Sequence, residues 1–459
     1  MSRRMLTLLV AAAGCAALAS APLNGQEAPR VPGVKLPSGY YTRLAQQPDV
    51  FHLQDGWITR AARARAVSMA VGDTLPMVVI PALFADSPEP HVSAEDIQRV
   101  LFDGPNQFGT VSEFYEEASG GRFGLRGRTL SWVRTSLTQA EVVGESYGLG
   151  SDARTGEYLL QALQAADTTV DFGQYDSDGP DGVPNSGDDD GRVDAVAFEF
   201  LEIAASCGGP SIWPHRSRIS GWFSGTPFAT NDSQPDGSAI VVNDYIVQSA
   251  TDCGGVELQK ATTIAHETGH VLGLPDLYDR SQGILPEQRR WVVGCWSLMA
   301  AGAWGCGVDD REAWVRPTHM GVWERTRLGW IREIVDVADV IDEEYALQPM
   351  LVGERALRTP LRRDASGDAV EYLLVEYRTQ QGFDRDLPTS GVLVYHVDLD
   401  IPGNQPCDTC AQHYRVAVLE ADGNRSLQRS FVEGGNRGEP GDAWGVAGPG
   451  TLTHETDPS

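Results

Sequence analysis

The chain has 459 residues, 41% of them apolar, with 11 tryptophans and a formal net charge of −27. That length holds two or three domains with cores of their own, and the composition excludes a disordered chain. So large a negative charge is repelled by a phosphate backbone, which excludes a nucleic-acid binder.

Arg3 and Arg4 precede the apolar run Met5–Ala13, and Ala17-Leu18-Ala19 offers a small-residue cleavage point. Residues 1–21 are therefore expected to be a secretion signal. Cys15 lies early in the apolar run and lacks the usual leucine before it, so lipid anchoring there is not expected. No other segment is long and apolar enough to span a membrane. Residues 22–65 are rich in proline, glutamine and arginine and end in Arg60-Ala-Ala-Arg63-Ala-Arg65. They read either as a propeptide with a basic processing site, making the chain a zymogen, or as an N-terminal arm packed on the next domain. Export makes Cys207, Cys253, Cys295, Cys306, Cys407 and Cys410 candidates for disulfides. Proximity pairs Cys295 with Cys306 and Cys407 with Cys410, leaving Cys207 for Cys253. A zinc knuckle is the weaker alternative, since there is only one Cys-x-x-Cys.

Residues 66–335 are expected to form the first large domain. Met77–Phe84 reads as a buried strand closed by Asp86-Ser-Pro. Ser93-Ala-Glu-Asp starts a helix by capping-box logic. A second helix over Thr110–Ala118 ends at Gly120-Gly121, and Phe123–Trp132 alternates as a strand. A helix over 151–169 follows, with Leu159, Leu160 and Leu163 on one side. Then comes an acidic loop carrying Asp176, Asp178, Asp181, Asp188, Asp189, Asp190 and Asp194 among glycines. Oxygen ligands at alternate positions, with glycines at sharp turns, are what a calcium ion requires. The spacing departs from the EF-hand, and a solvated acidic loop is the alternative. Calcium is expected, held by Asp176, Asp178, Asp181, Asp188, Asp190 and Asp194. Strands are expected at Val193–Leu201 and 239–249, and His215, alone in a loop, is expected to be structural.

A helix expected to begin near Val256 carries His266-Glu267-Thr-Gly-His270-Val-Leu-Gly273-Leu-Pro275-Asp276. Histidines at i and i+4 share a helix face and can reach one metal ion. Glu267 is placed to serve as base for a water molecule. Gly273 permits a left-handed exit and Pro275 prevents the helix from resuming, so the turn can bring Asp276 back as a third ligand. Asp279 competes for that role, and Tyr278 is expected to pack rather than to stabilise an oxyanion. Cys295-Trp-Ser-Leu-Met299-Ala-Ala-Gly302 is a small-residue turn in which Met299 can floor such a site. Pro317 is expected to open a helix ending at Gly329-Trp330. Residues 336–459 change to short strands at Glu371–Tyr377, Gly391–Val397 and Tyr414–Glu420, which suggests a β-rich second domain, expected to be a sandwich.

Phe114-Tyr115, Ser119-Gly-Gly121, Tyr175-Asp-Ser-Asp-Gly179, Ile212-Trp-Pro-His215, His266–Asp279, Trp296–Met299, Leu328-Gly-Trp330 and Leu387–Asp398 together resemble the immune inhibitor A family of secreted bacterial zinc metallopeptidases. The zinc stretch is also similar to that of the small peptidase snapalysin, whose third ligand is an aspartate. The resemblance implies a metzincin-like α/β (α+β) catalytic domain with a mixed sheet and an active-site helix. It implies zinc on His266, His270 and Asp276, Glu267 as general base, Met299 in the turn beneath, and calcium at the acidic loop. The expected activity is a secreted, monomeric endopeptidase acting on proteins or peptides. A calcium-stabilised surface-binding protein with an inactive peptidase-like domain is the rival, and a zinc hydrolase of non-peptide amides is a third reading.

Overall fold

The computed structural model describes Arg60 and residues 73–279, 288–306, 315–337, 344–353, 355–401, 403–404 and 414–445. The expected leader with Cys15, the 22–65 stretch apart from Arg60, and the Cys407–Cys410 pair lie outside the described residues. The chain divides into two compact units, Val31–Pro275 and a second comprising Met1–Arg30 and Asp276–Ser459.

In the unit ending at Pro275, strand β1 (Asp73–Leu83) is the organising element. Leu75 and Met77–Ile80 are fully buried. β1 pairs in parallel with β2 (Phe123–Thr129), with β3 (Val133–Arg134) beyond it, and on its other side with β4 (Val196–Phe200). β5 (His215–Arg218) is the antiparallel edge, while β6 (Phe228–Ser233) and β7 (Ala239–Val242) form a separate ribbon. β8 (Asp244–Ser249) lies between β4, to which it is parallel, and β5. The result is the expected mixed sheet, in the order β2-β1-β4-β8-β5. The single strand expected over 239–249 is broken at Asn243, so β7 and β8 join different sheets.

Helix α1 (Ala94–Gln98) is capped by the Ser93 side chain, and α2 (Val111–Ser119) by a full capping box between Thr110 and Glu113. Such a cap contributes about 1 kcal/mol. Gly120 ends α2 in the left-handed conformation, at φ +65°. After the short α3 (Gln139–Val143), α4 (Thr155–Ala166) buries Leu159 and Leu163 completely, each worth about 1.5–3 kcal/mol. The Tyr158 hydroxyl ties α4 to β1 by donating to the Ala82 carbonyl at 2.7 Å. A Cys207–Cys253 disulfide closes the later part of this unit.

Helix α5 (Thr262–Val271) starts later than the Val256 expected. Gly254 and Gly255 turn the chain there, and Thr251 and Leu258 form an antiparallel bridge that closes residues 251–258 into a turn in place of helix. α5 packs on α2, β5 and β8. The Tyr115 hydroxyl of α2 donates to the Ala265 carbonyl at 2.6 Å, which fixes the depth of the helix.

In the second unit, α6 (Val322–Arg327) is capped at Gly321, so the helix begins after Pro317 and His319 rather than at Pro317. The strands are β9 (Glu333–Asp336), β10 (Arg355–Arg363), β11 (Ala369–Arg378), β12 (Gly391–Asp398) and β13 (Val416–Val418). They form one five-stranded sheet in the order β13-β12-β11-β10-β9. The β-rich region is thus present, but its described strands make a single sheet and not the sandwich expected. Each strand finds its partner next to it in sequence, and Trp444, with α6, supplies cover that a second sheet would otherwise provide. The Cys295–Cys306 disulfide holds the turn containing Met299.

Candidate metal centre

On α5 the rings of His266 and His270 stack nearly at right angles, with centroids 4.8 Å apart. Both are buried, as is Glu267 between them in sequence. Gly273 leaves the helix at φ +100°, and the Leu274 amide returns to the Gly269 carbonyl at 3.0 Å. That turn aims the Leu274 carbonyl at His270 Nδ1, 2.7 Å away. A carbonyl accepts only, so Nδ1 carries the proton and Nε2 presents its lone pair. This is the arrangement by which a metal-ligating histidine is oriented from behind. Asp276 follows Pro275 directly, and its carboxylate and the two imidazoles each offer a ligand atom within 4.8 Å of the others. Two nitrogens and one oxygen at this spacing fit a zinc ion.

The residues after Asp276 separate the two candidate third ligands. The Leu277 amide donates to the Met299 carbonyl at 2.8 Å, which couples the chain beside Asp276 to the methionine turn. Asp279 is buried and accepts from the Tyr414 hydroxyl at 3.1 Å, with Arg290 at 3.9 Å. It is not among the three residues whose ligand atoms meet within 4.8 Å. Burial and the Asp279 charge push the Tyr414 phenol above its ordinary value. Tyr278 packs on Trp291, with the Arg289 guanidinium over its ring at 5.1 Å. Met299 is fully buried, and its amide donates to Ser297 Oγ.

His215 opens strand β5 instead of standing alone in a loop. Its Nδ1 faces the Trp213 carbonyl at 2.6 Å and its Nε2 the Tyr245 hydroxyl at 3.0 Å. Trp222 Nε1 donates to the same hydroxyl at 2.8 Å, so the phenol proton points to Nε2.

The acidic loop brings together Asp176, Asp178 and Asp189, with carboxylate oxygens within 4.8 Å of one another. Asp189 stands in this group in place of Asp181 and Asp188, which are exposed and share hydrogen bonds with Ser186. Asp176 and Asp194 are wholly buried. Asp176 Oδ2 accepts from the Gly191 amide, while its Oδ1 is buried with no hydrogen-bond partner. Burial first, then the neighbouring carboxylates, pushes Asp176 up to about 8 and Asp194 up to about 7. Sequence reasoning missed the cation that meets this charge. Arg60 Nε lies 3.2 Å from Asp178 and 3.5 Å from Asp190, and a terminal nitrogen lies 3.5 Å from Asp194. Burial alone would lower the guanidinium, but these carboxylates and Asp244 more than reverse it, and its pKa is raised.

The model of the immune inhibitor A peptidase M6 catalytic domain matches residues 94–331, just over half of the chain. Over 236 residues the chain is 27% identical to the pre-pro-metalloprotease PrtV of Vibrio cholerae serotype O1, covering 49% of this chain and 24% of that one. Over 228 residues it is 30% identical to immune inhibitor A of Bacillus thuringiensis subsp. alesti, covering 44% of this chain and 30% of the relative. The matched stretch thus spans less than a third of either relative. Among the described residues no helix is long and apolar enough to cross a membrane. With the His-Glu-x-x-His helix, its left-handed exit and the aspartate beyond it all falling inside the matched region, the chain belongs to the immune inhibitor A peptidase M6 family.

Proposed function

We propose that the chain is a secreted zinc-dependent endopeptidase, with its catalytic domain in residues 66–335. The observation that carries this reading is the cluster of His266, His270 and Asp276 within 4.8 Å, with the His270 tautomer set by Leu274. Three protein ligands leave a further coordination position open, the mark of a catalytic rather than a closed site. Zinc bound there supplies Lewis acidity toward a substrate carbonyl and toward water. Glu267 accepts the proton of the attacking water and passes it to the departing amine, so that the leaving group exits neutral. Asp276 adds the negative charge that makes the ligand set complementary to a dication, and α5, held by Tyr115, keeps both histidines in register.

Glu267→Gln keeps the shape of the side chain and removes its basicity. Zinc is expected to stay at one per chain, while hydrolysis of a casein-type substrate falls by about 10²–10⁴-fold. Undiminished hydrolysis in that variant sinks the reading.

The acidic loop is read as a calcium site that Arg60 fills in the unprocessed chain. A hard cation suits the all-oxygen donors and the unpartnered Asp176 Oδ1. Cleavage at the basic stretch ending at Arg65 removes Arg60, and calcium then takes over its charge. The two disulfides suit export, and the "pre-pro" in the name of the Vibrio relative suits a leader and a proregion.

A further inference from the structure

Glu420, Glu439 and Asp442 belong to none of the sites above. Glu420 and Asp442 are buried, at 2% and 0% exposure, and Glu439 is half-buried. Each offers a carboxylate oxygen within 4.8 Å of the others. The backbone builds this meeting: Ala421 N donates to Asp442 O at 3.1 Å and Asp422 N to Gly441 O at 3.0 Å. A Cβ on Gly441 would stand 2.1 Å from Asp422 Oδ2, so a larger residue there would have to displace that exposed carboxylate.

The described partners of the three carboxylates are neutral. Glu420 accepts from the Ser426 amide and hydroxyl and from the Leu427 amide. Glu439 Oε1 accepts from the side-chain amides of Asn424 and Asn436, each at 2.8 Å. Asp442 Oδ2 accepts from Trp296 Nε1 at 2.8 Å and from the Glu439 amide at 2.9 Å. Asp442 Oδ1 is buried and has no hydrogen-bond partner. A carboxylate oxygen in that condition has lost its water and gained nothing in return.

We infer that Glu420, Glu439 and Asp442 form a second site for a hard divalent cation, calcium in the first place, beside the Cys295–Met299 turn. The donor set is entirely oxygen, which selects hard ions over zinc or copper. The cation would sit against Asp442 Oδ1 and neutralise charge that neutral donors only distribute. The site reaches the methionine turn directly, because Trp296 donates to Asp442 and the Cys295 amide donates to Arg437 O at 2.6 Å. Filling it would stiffen that turn from below.

The test uses the full chain, stripped with EGTA and titrated with calcium alone, with magnesium as a separate arm. In wild type, hydrogen exchange of residues 420–426 and 436–442 should slow with calcium, by roughly 100-fold at 100 times Kd. Equilibrium dialysis should show Glu439→Gln losing one bound calcium, while Asp178→Asn in the Arg60→Ala background, where the acidic loop is open to the ion, loses a different one and leaves exchange at 420–442 calcium-sensitive. Terbium should give emission sensitised by Trp296 that calcium displaces and Glu439→Gln abolishes. Exchange at 420–442 indifferent to calcium in wild type overturns the inference even if Glu439→Gln does not fold. So does a Glu439→Gln protein that binds as much calcium as wild type. Loss of calcium only in Asp178→Asn would leave the acidic-loop reading standing and this one refuted.

Discussion

Two buried carboxylate clusters meet the same electrostatic problem differently. At Asp176–Asp194 the like charges converge on an arginine from far upstream in sequence. At Glu420–Asp442 they are met by amides, a hydroxyl and an indole, and one oxygen is met by nothing. A guanidinium cancels charge but can be removed only by removing its segment. Neutral donors tolerate charge without cancelling it, and so leave room for an ion that comes and goes. The first cluster is therefore suited to a change made once, and the second to an exchangeable occupant.

The comparison breaks most visibly at Arg60. Arg60→Ala in EGTA leaves buried carboxylates without their cation and should cost about 3–5 kcal/mol. Calcium should restore most of the loss, and urea unfolding with and without the ion measures both. Equal unfolding midpoints for variant and wild type in EGTA would show that the arginine neutralises nothing.

A smaller effect is expected at Asp442→Asn. The amide keeps the shape, and burial with the Glu420 charge holds the ion-free Asp442 carboxyl well above its usual range, so in EGTA the variant should lie within about 1 kcal/mol of wild type. The stabilisation by calcium at this cluster should vanish with it, as thermal melting at two calcium concentrations would report.

The smallest effect sharpens the comparison with a buried acid that has no expected cation. Glu324 accepts from Ser297 Oγ and the Gly321 amide, and burial pushes it up to about 8. A carboxyl raised in the folded state contributes stability that is complete below the unfolded value of 4.5 and is lost as pH rises through about 8. The wild-type melting temperature should therefore fall between about pH 5 and 8 and level off above that. In Glu324→Gln, whose amide copies the protonated acid, that slope should flatten, with or without calcium.

What could be read in the chain follows from how local each signal is. His266, Glu267 and His270 lie within one helical turn, and Gly273 and Pro275 announce the exit, so the helix, its left-handed end and the meeting of His266, His270 and Asp276 were legible. The partner of Asp279 was not, because Tyr414 lies more than a hundred residues away. The start of α5 was misplaced because residues 251–258 bond across a turn instead of along a helix. Short alternating runs announced the strands from Glu371 onward, but one sheet or two depends on what covers them. Asp189 hid among equal neighbours, and Arg60 had no local signature. Glu420-Ala-Asp422-Gly-Asn424-Arg-Ser426 does alternate oxygen side chains, a local signal partly hidden because its first residue closes the apolar run Tyr414–Glu420.

The bond from His270 Nδ1 to the Leu274 carbonyl also bears on folding. In an unfolded chain the two ring nitrogens exchange the proton freely, and neither is reserved for a metal. Only when residues 271–274 have turned beneath the helix does one nitrogen become the donor and the other the ligand. On the proposed zinc reading, the turn lowers the cost of reserving Nε2 for the metal, and by linkage a bound metal would stabilise the closed turn by the same amount.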